Sequence, residues 1–600
     1  MSRTRWTVLA WIASLSIAVG LCSCLVLPVW RTPSDRSPLT VPSSAELGAG
    51  RGTRTPPVSP RHTATRKSRV ELPAVAIEHR EVNASQTSGN LAEVSIAVDP
   101  ARPDRVLAAA MDLTAHTIRT MATDDGGQTW IGTSIPVSSD AGYHADPMVA
   151  FDTQGRVHLV HIPVRQSHTL GIEVNRSDDG GRTWTSSLRI SEQTDDDKTA
   201  LAVDEDPDSP FSDRVYVAWK LPAGGVFFTF SDDRGVSYTP AQRISGAAIS
   251  GLDLATSPEG AVYLVANAGA GFPRGILFFR SLDGGLTFEP SRRIVATPDW
   301  YTRTPSICTR MALIHASVGV DRSIGAGRGN VYVTWSDYSP RGAGCAGSCD
   351  AGAACHADVF VSRSEDGGET WSEPRPVHEG ELGTSDQYHQ WLGVDPRDGA
   401  LYVAYKDTRD DPSRSATHVY LNRSRDRAES FEPSLRLSSA SSLAGNSFQY
   451  GDYQGLAVVG GVVYVAWADF RSSSSASQIY VSRTVLTQGL TLIPDRRSEF
   501  GEVPLGTSVS RRIAVVNQGL SDVRLSKVRL RGPDRAEFFL VAGKDSCSEA
   551  VLSPGRSCGF RIRIRPTSVG AKSAKAVFDD DDPATDRFRV RLLASVTPEP

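Results

Sequence analysis

One short turn occurs six times in this chain and limits its fold more than any other feature. The copies read TDDGGQTW (123–130), SDDGGRTW (177–184), SDDRGVSY (231–238), SLDGGLTF (281–288), SEDGGETW (364–371) and SRDRAESF (424–431). The shared pattern is Ser/Thr-x-Asp-x-Gly-x-Thr/Ser-aromatic. Its carboxylates, Asp125, Asp179, Asp233, Asp283, Asp366 and Asp426, are placed to accept backbone N–H bonds across the turn. The glycine supplies a positive φ, and the aromatic ring plugs the sheet below. In the last copy Ala428 replaces that glycine, which predicts a distorted turn.

The turns belong to a longer repeat between 73 and 486. A first strand ends in Asp, as in SIAVDP (95–100), MVAFDT (148–153), ALAVDE (200–205), SVGVDR (317–322) and WLGVDP (391–396). A second follows, as in VYVAW (215–219 and 463–467), VYVTW (331–335) and LYVAY (401–405). A third runs into the turn and a fourth leaves it. These strands are short and rich in β-branched and aromatic residues. Four antiparallel strands per repeat make a propeller blade. Seven copies of the first two strands favour seven blades, and six is the alternative. The last repeat stops after QIYVSRTVL (478–486), so AVAIEH (74–79) is expected to supply its fourth strand and close the ring.

The flanking segments differ. Residues 1–30 combine Arg3 and Arg5 with an apolar run, as an export signal does. Leu21-Cys22-Ser23-Cys24 resembles a bacterial lipobox, which makes Cys24 a lipidation candidate. A signal anchor and simple secretion are the alternatives, and all three place the chain outside the cytoplasm. Residues 31–72, rich in Pro, Ser, Thr and Arg, read as a disordered linker. Residues 487–600 lack the turn and carry longer strands: 511–519, 523–530, 560–566 and 587–596. Cys547 and Cys558 would close a short loop by a disulfide. Cys308 would pair with one of Cys345, Cys349 and Cys355, with zinc as the rival reading of those four. Asp579 to Asp582 read as a solvated connection rather than a calcium loop. We expect no metal and no cofactor. A net charge of −4 gives no pointer to nucleic acid.

The repeated turn resembles the Asp box, or BNR repeat, of sialidases and related β-propellers, over about 73–486. FGEVPLG (500–506) with LSPGRSC (552–558) resembles the choice-of-anchor D family, related to ASH domains. Together they imply an all-β protein: a propeller at 73–486, then an Ig-like β-sandwich at 487–600. In sialidases the Asp boxes are structural, and that role is expected here.

Blade topology puts the boxes on one face and a polar, aromatic set on the other. Ligand-binding candidates there are His144, Asp146, Asp197, Lys198, His389, Gln390, Asp407, Asp452 and Asp469. The family clamps a substrate carboxylate with three Arg, uses a Glu-activated Tyr as nucleophile and an Asp as acid/base. Its Arg-Ile-Pro motif is absent. Arg303 or Arg310, Arg409 and Arg471 are the candidates for an altered clamp, and Tyr388 or Tyr453 for the nucleophile. Two readings stand beside a structural envelope role. One is an exported propeller that binds a carbohydrate or cell-surface ligand, with possible membrane anchoring through its N-terminus. The other is an exo-sialidase-type glycoside hydrolase. An Arg triad at the mouth favours the enzyme, and an acidic mouth without one favours binding.

Overall fold

The computed structural model describes residues 76–598, except 167, 222–224, 247–248, 269–272, 298–300, 303–311, 314, 340–355, 380–381, 383, 444–450, 472–475, 488–489, 494–496, 518–522, 554–555 and 580–587. The export segment with Cys24, the linker, and Arg303, Arg310, Cys308, Cys345, Cys349 and Cys355 therefore lie outside the described residues. So do Asp580 to Asp582. Among the described residues no helix is long and apolar enough to cross a membrane.

The described residues of 76–487 form seven antiparallel sheets with a path of four strands each, six of them in sequence order, beside a short two-stranded pairing of Tyr301–Thr302 with Ala312–Leu313. Their first strands are Leu91–Asp99, Tyr143–Phe151, Asp197–Val203, Ile249–Thr256, Ser317–Val320, Gln387–Val394 and Gly455–Val459. Each packs on the next, and the last packs on the first, so the sheets close a ring. We number the sheets 1 to 7 in that order. All these first strands line an axial cavity of about 220 Å³. In sheet 7 the outermost strand comes from the other end of the chain: Ala76–Asn83 pairs antiparallel with Gln478–Thr487.

The second strands show why the sheets stack this way. Val215 to Trp219 are all wholly buried, on both faces of the strand. A strand covered on both faces reads as a continuous apolar run. Trp219, Trp335, Trp467 and Tyr405 are among the largest fully buried side chains.

The Asp that ends most first strands closes the turn into the second. Asp99 accepts the Ala101 and Arg102 amides at 2.9 and 3.1 Å, and Asp152 those of Gln154 and Arg156, both at 2.9 Å. In sheet 4 Ser257 does the same for Glu259 and Ala261.

The six repeated turns share one hydrogen-bond pattern. In the first, Thr123 Oγ1 donates to Asp125 at 2.7 Å and accepts the Gly127 amide at 3.0 Å. Asp125 also takes the Thr129 amide and hydroxyl, at 2.9 and 2.6 Å. The aromatic residue reaches the preceding sheet rather than its own: Trp371 packs edge-on against Phe278 and Phe288 against Phe228.

This tight approach demands the glycine. A Cβ on Gly368 would lie 2.2 Å from the Phe278 ring, and one on Gly285 2.7 Å from Phe228. The sixth turn corrects the expected distortion. Its bonds are intact, with Ala428 N to Ser424 Oγ and Ser430 N to Asp426 both at 2.9 Å, and Ala428 itself adopts φ 61°. The space exists because Val361 stands in the preceding sheet where other sheets have Phe228 or Phe278. Ala428 packs in the same core cluster as Val361.

Residues beyond 489 build two further four-stranded sheets around one core. One orders Leu490–Ile493, Val509–Asn517, Ser557–Ile564 and Phe538–Asp545. The other orders Arg497–Pro504, Phe588–Thr597, Gly570–Phe578 and Arg529–Arg531, its first pair parallel. The single strand expected over 523–530 is instead two short pieces, Val523–Arg524 and Arg529–Arg531, on different sheets. The sulfurs of Cys547 and Cys558 lie 1.95 Å apart within this core.

Candidate functional site

The first strands do not start as regular β-structure. Glu93, Asp146, Lys198 and His389 take φ of 53°, 52°, 38° and 51°, and Gly251 takes 59°. At each the pairing register with the second strand shifts, which marks a bulge. Just ahead of the seventh strand Gly451 takes φ 75°. A non-glycine residue held left-handed costs about 1–2 kcal/mol. The same outlier at the same place in sheet after sheet puts charged side chains at the axial end opposite the repeated turns. Such strain concentrates where a site is held in shape.

Tyr453 is the hub of this end. Its hydroxyl donates to the Pro147 carbonyl of sheet 2 at 3.3 Å. The Lys198 ammonium of sheet 3 sits 3.5 Å from its ring centre. His315, ahead of sheet 5, and Trp391 of sheet 6 lie 6.0 and 6.1 Å from it, centroid to centroid. His315 packs on the bare Cα of Gly251, where a Cβ would stand 3.1 Å from the imidazole. Carboxylates surround these rings. The charges of Asp146, Glu93, Asp452 and Asp253 all act on Lys198.

Several polar atoms here have no hydrogen-bond partner among the described residues. They are Lys198 Nζ, both ring nitrogens of His315 and both amide atoms of Gln454. All three side chains are at most 4% exposed.

Its electrostatics follow from burial. Withdrawal from water lowers the Lys198 ammonium against the pull of the carboxylates around it, and holds His315 neutral. Burial raises Asp146, which hydrogen-bonds Glu93 and faces Asp197 and Asp452. Burial also raises Asp253 to about 6, despite bonds from Val318 N and Ser317 Oγ, both at 2.9 Å. Asp197 goes the other way. Burial is the largest single influence and opposes its charge, but the Lys220 ammonium at 2.8 Å, the Lys198 amide and the Lys198 charge together outweigh it. Burial and the neighbouring carboxylates push Tyr453 far above the usual phenol value.

Other candidates have different work. Asp407 accepts the Arg409 amide and guanidinium at 2.6 and 2.7 Å, and Asp469 accepts Arg471 in the same way. Arg409 spends further donors on Glu379, Ser434 and Tyr405, and Arg471 on Glu81 and Ser439. Their guanidinium groups stack over Tyr420 and Tyr480 of the third strands, away from the axis. They are staples across their blades, so the altered clamp is not assembled from them. Gln390 is likewise spent, donating to the His315 and Thr334 carbonyls and accepting from Ser336. Tyr388 is wholly buried, edge-on to His389.

His144 turns from the axis into sheet 2. Its Nδ1 lies 3.0 Å from Nδ1 of His161, and Glu173 completes a set whose ligand atoms lie within 4.8 Å of one another. Both oxygens of Glu173 are already used, by Arg189 at 2.7 Å and by the Ser138 hydroxyl. A guanidinium on the carboxylate neutralises the charge that would draw a cation, so the set reads as a buried polar network.

Residue type alone gave no sign of the bulges, nor of His315 as a member. The recurrence of a polar residue a few positions before each first strand was the usable signal.

No family model and no curated protein matches this chain. Solved structures are similar over parts of it. A protein of unknown function from Dyadobacter fermentans shares 13% identity over 68% of this chain and 99% of its own, with a TM-score of 0.38. A leech intramolecular trans-sialidase shares 14% over 54% and 65%, with a TM-score of 0.35. An ulvan lyase shares 11% over 67% and 95%, with a TM-score of 0.40.

Proposed function

We propose that this chain is an exported, sialidase-like propeller of seven blades that binds a neutral or amino carbohydrate at the axial mouth opposite the repeated turns. The propeller takes residues 73–486 and an Ig-like sandwich residues 487–600, with a Cys547–Cys558 disulfide. Residues 1–30 direct export, and 31–72 form a linker. One observation carries the binding reading: Lys198, on a left-handed first-strand bulge, and His315 and Gln454, ahead of or at the start of their own first strands, are buried polar groups with unpartnered atoms among the described residues.

The charge balance selects the ligand. Glu93, Asp146, Asp197, Asp253 and Asp452 outnumber Lys198 and Lys220, so an anionic sugar would meet repulsion. Hydroxyls donate to carboxylates, and sugar rings lie on aromatic faces such as Trp391. A second reading, glycoside hydrolysis, draws on the hydrogen-bonded carboxyl pair Glu93–Asp146. Two close carboxyls that share a proton are what general acid–base work requires.

The test is a glycan array with the full chain, followed by calorimetric titration of Lys198→Met and Gln454→Ala. Binding of neutral or amino glycans that falls about tenfold or more in either variant is expected, for a loss of about 1.4 kcal/mol. Turnover of fluorogenic neutral glycosides abolished by Asp146→Asn would establish the hydrolase. Binding unaffected by either variant, with the fold intact, would place the site elsewhere.

A further inference from the structure

The second sheet of the C-terminal unit carries an arrangement of charge that nothing in its own packing explains. Strand register places Arg497 beside Arg591, Arg591 beside Lys575, and Lys575 beside Arg531. Four cations therefore stand in one row across four strands. Two residues along, Arg589 and Arg529 flank Val577 on the same face. All six cations are exposed. They point outward because alternate residues Val590, Leu592, Ala574 and Ala576 fill the core.

Like charges directly opposite on neighbouring strands destabilise a sheet. The usual relief is an interleaved carboxylate. Among the described residues the one ion pair in this row is Arg497 with Glu499, on its own strand. Arg591, Lys575, Arg531, Arg589 and Arg529 have no ion pair among the described residues. Each could have been a neutral residue at no cost to the core.

We propose that this face binds a linear acidic polysaccharide, laid across the strands along the row from Arg497 to Arg531. Neighbouring strands lie about 4.8 Å apart, so the row spans roughly 14 Å, the reach of a few sugar units. Carboxylate or sulfate groups spaced along such a polymer meet guanidinium groups that bind them through paired N–H donors. The shape of the charge favours a polymer over an anionic membrane, because the cations form a line and, among the described residues, no exposed aromatic or large aliphatic side chain accompanies them. The lack of exposed aromatic rings on this face also disfavours single-stranded nucleic acid, which is held by stacking. The site shares no residue with the propeller mouth and stands whether or not the mouth binds sugar.

The test is binding of the full chain to polygalacturonate at low salt, with phosphatidylglycerol vesicles and a DNA duplex in parallel. Binding should weaken as salt rises. Lys575→Gln with Arg591→Gln should weaken it about tenfold, while Arg243→Gln with Arg293→Gln, which removes the same charge from exposed propeller positions, should not. Arg531→Gln, at the sheet edge, is the second variant should the pair fail to fold. The proposal is overturned if polygalacturonate does not bind, if both charge-matched pairs weaken binding equally, or if vesicles or DNA bind more tightly and depend on the row.

Discussion

At the scale of single residues, the repeated turn shows how one side chain answers to a neighbour far away in sequence. Gly368 is required because Phe278 of the preceding sheet fills the space where its Cβ would be. Gly368→Ala should destabilise the protein by about 2–4 kcal/mol, from a clash added to a left-handed alanine. Ala428→Gly, opposite the smaller Val361, should change stability by less than about 1 kcal/mol. Chemical denaturation of both variants measures the difference. The turn carboxylates also set an acid limit. Bonds from the Thr370 hydroxyl and amide hold Asp366 down at about 2. A lowered carboxylate gives stability that is complete above its unfolded value and lost as pH falls through its folded one. The melting temperature should therefore fall between about pH 4 and pH 2, and Asp366→Asn should flatten that fall.

Among elements, the strand that closes the ring is the most consequential. Ala76–Asn83 gives sheet 7 its fourth strand, and Glu81 on it binds Arg471. Both side chains of that pair are about 90% buried, at 8% and 11% exposure. Removing Glu81 takes one of two carboxylates from Arg471, which keeps Asp469, so the loss should fall below the ~3–5 kcal/mol of a fully stranded buried charge. Glu81→Ala should thus cost more than an exposed charge deletion, and a double-mutant cycle with Arg471→Ala should show coupling. An uncoupled pair would mean that the closing strand is held by its backbone bonds alone. The pairing of this stretch with the last repeat was legible in advance, because a repeat that stops one strand short leaves an open edge that another strand must cover. The ion pair was not, since Arg471 reads equally well as an anion clamp until its partners are seen.

For the whole molecule, two kinds of core predict separate responses. The sheets of the ring rest on one another through aromatic and aliphatic contacts, whereas Cys547 and Cys558 lie within the core of the C-terminal sheets. A disulfide closing a loop of this length contributes about 3 kcal/mol. Reduction should lower the unfolding transition of the C-terminal unit and leave the ring's transition in place, as followed by calorimetry. One common shift would show that the two unfold together.

The sequence alone determined the all-β class, the repeat and the location of the turns, because strand alternation and turn chemistry are local and recur down the chain. It also marked which end of the blades collects polar residues. It did not separate Asp407 and Asp469, which bond arginines two residues away, from Asp146 and Lys198, which meet at the axis. All are polar residues at strand ends. Only the ring, by bringing first strands remote in sequence around one axis, decided which of them meet there and which bond within their own sheet. The bulges that aim them arise from that packing, where Glu93 is pressed against the bare backbone of Gly451 and His315 against Gly251. Contacts between sheets hundreds of residues apart leave no trace in a local pattern.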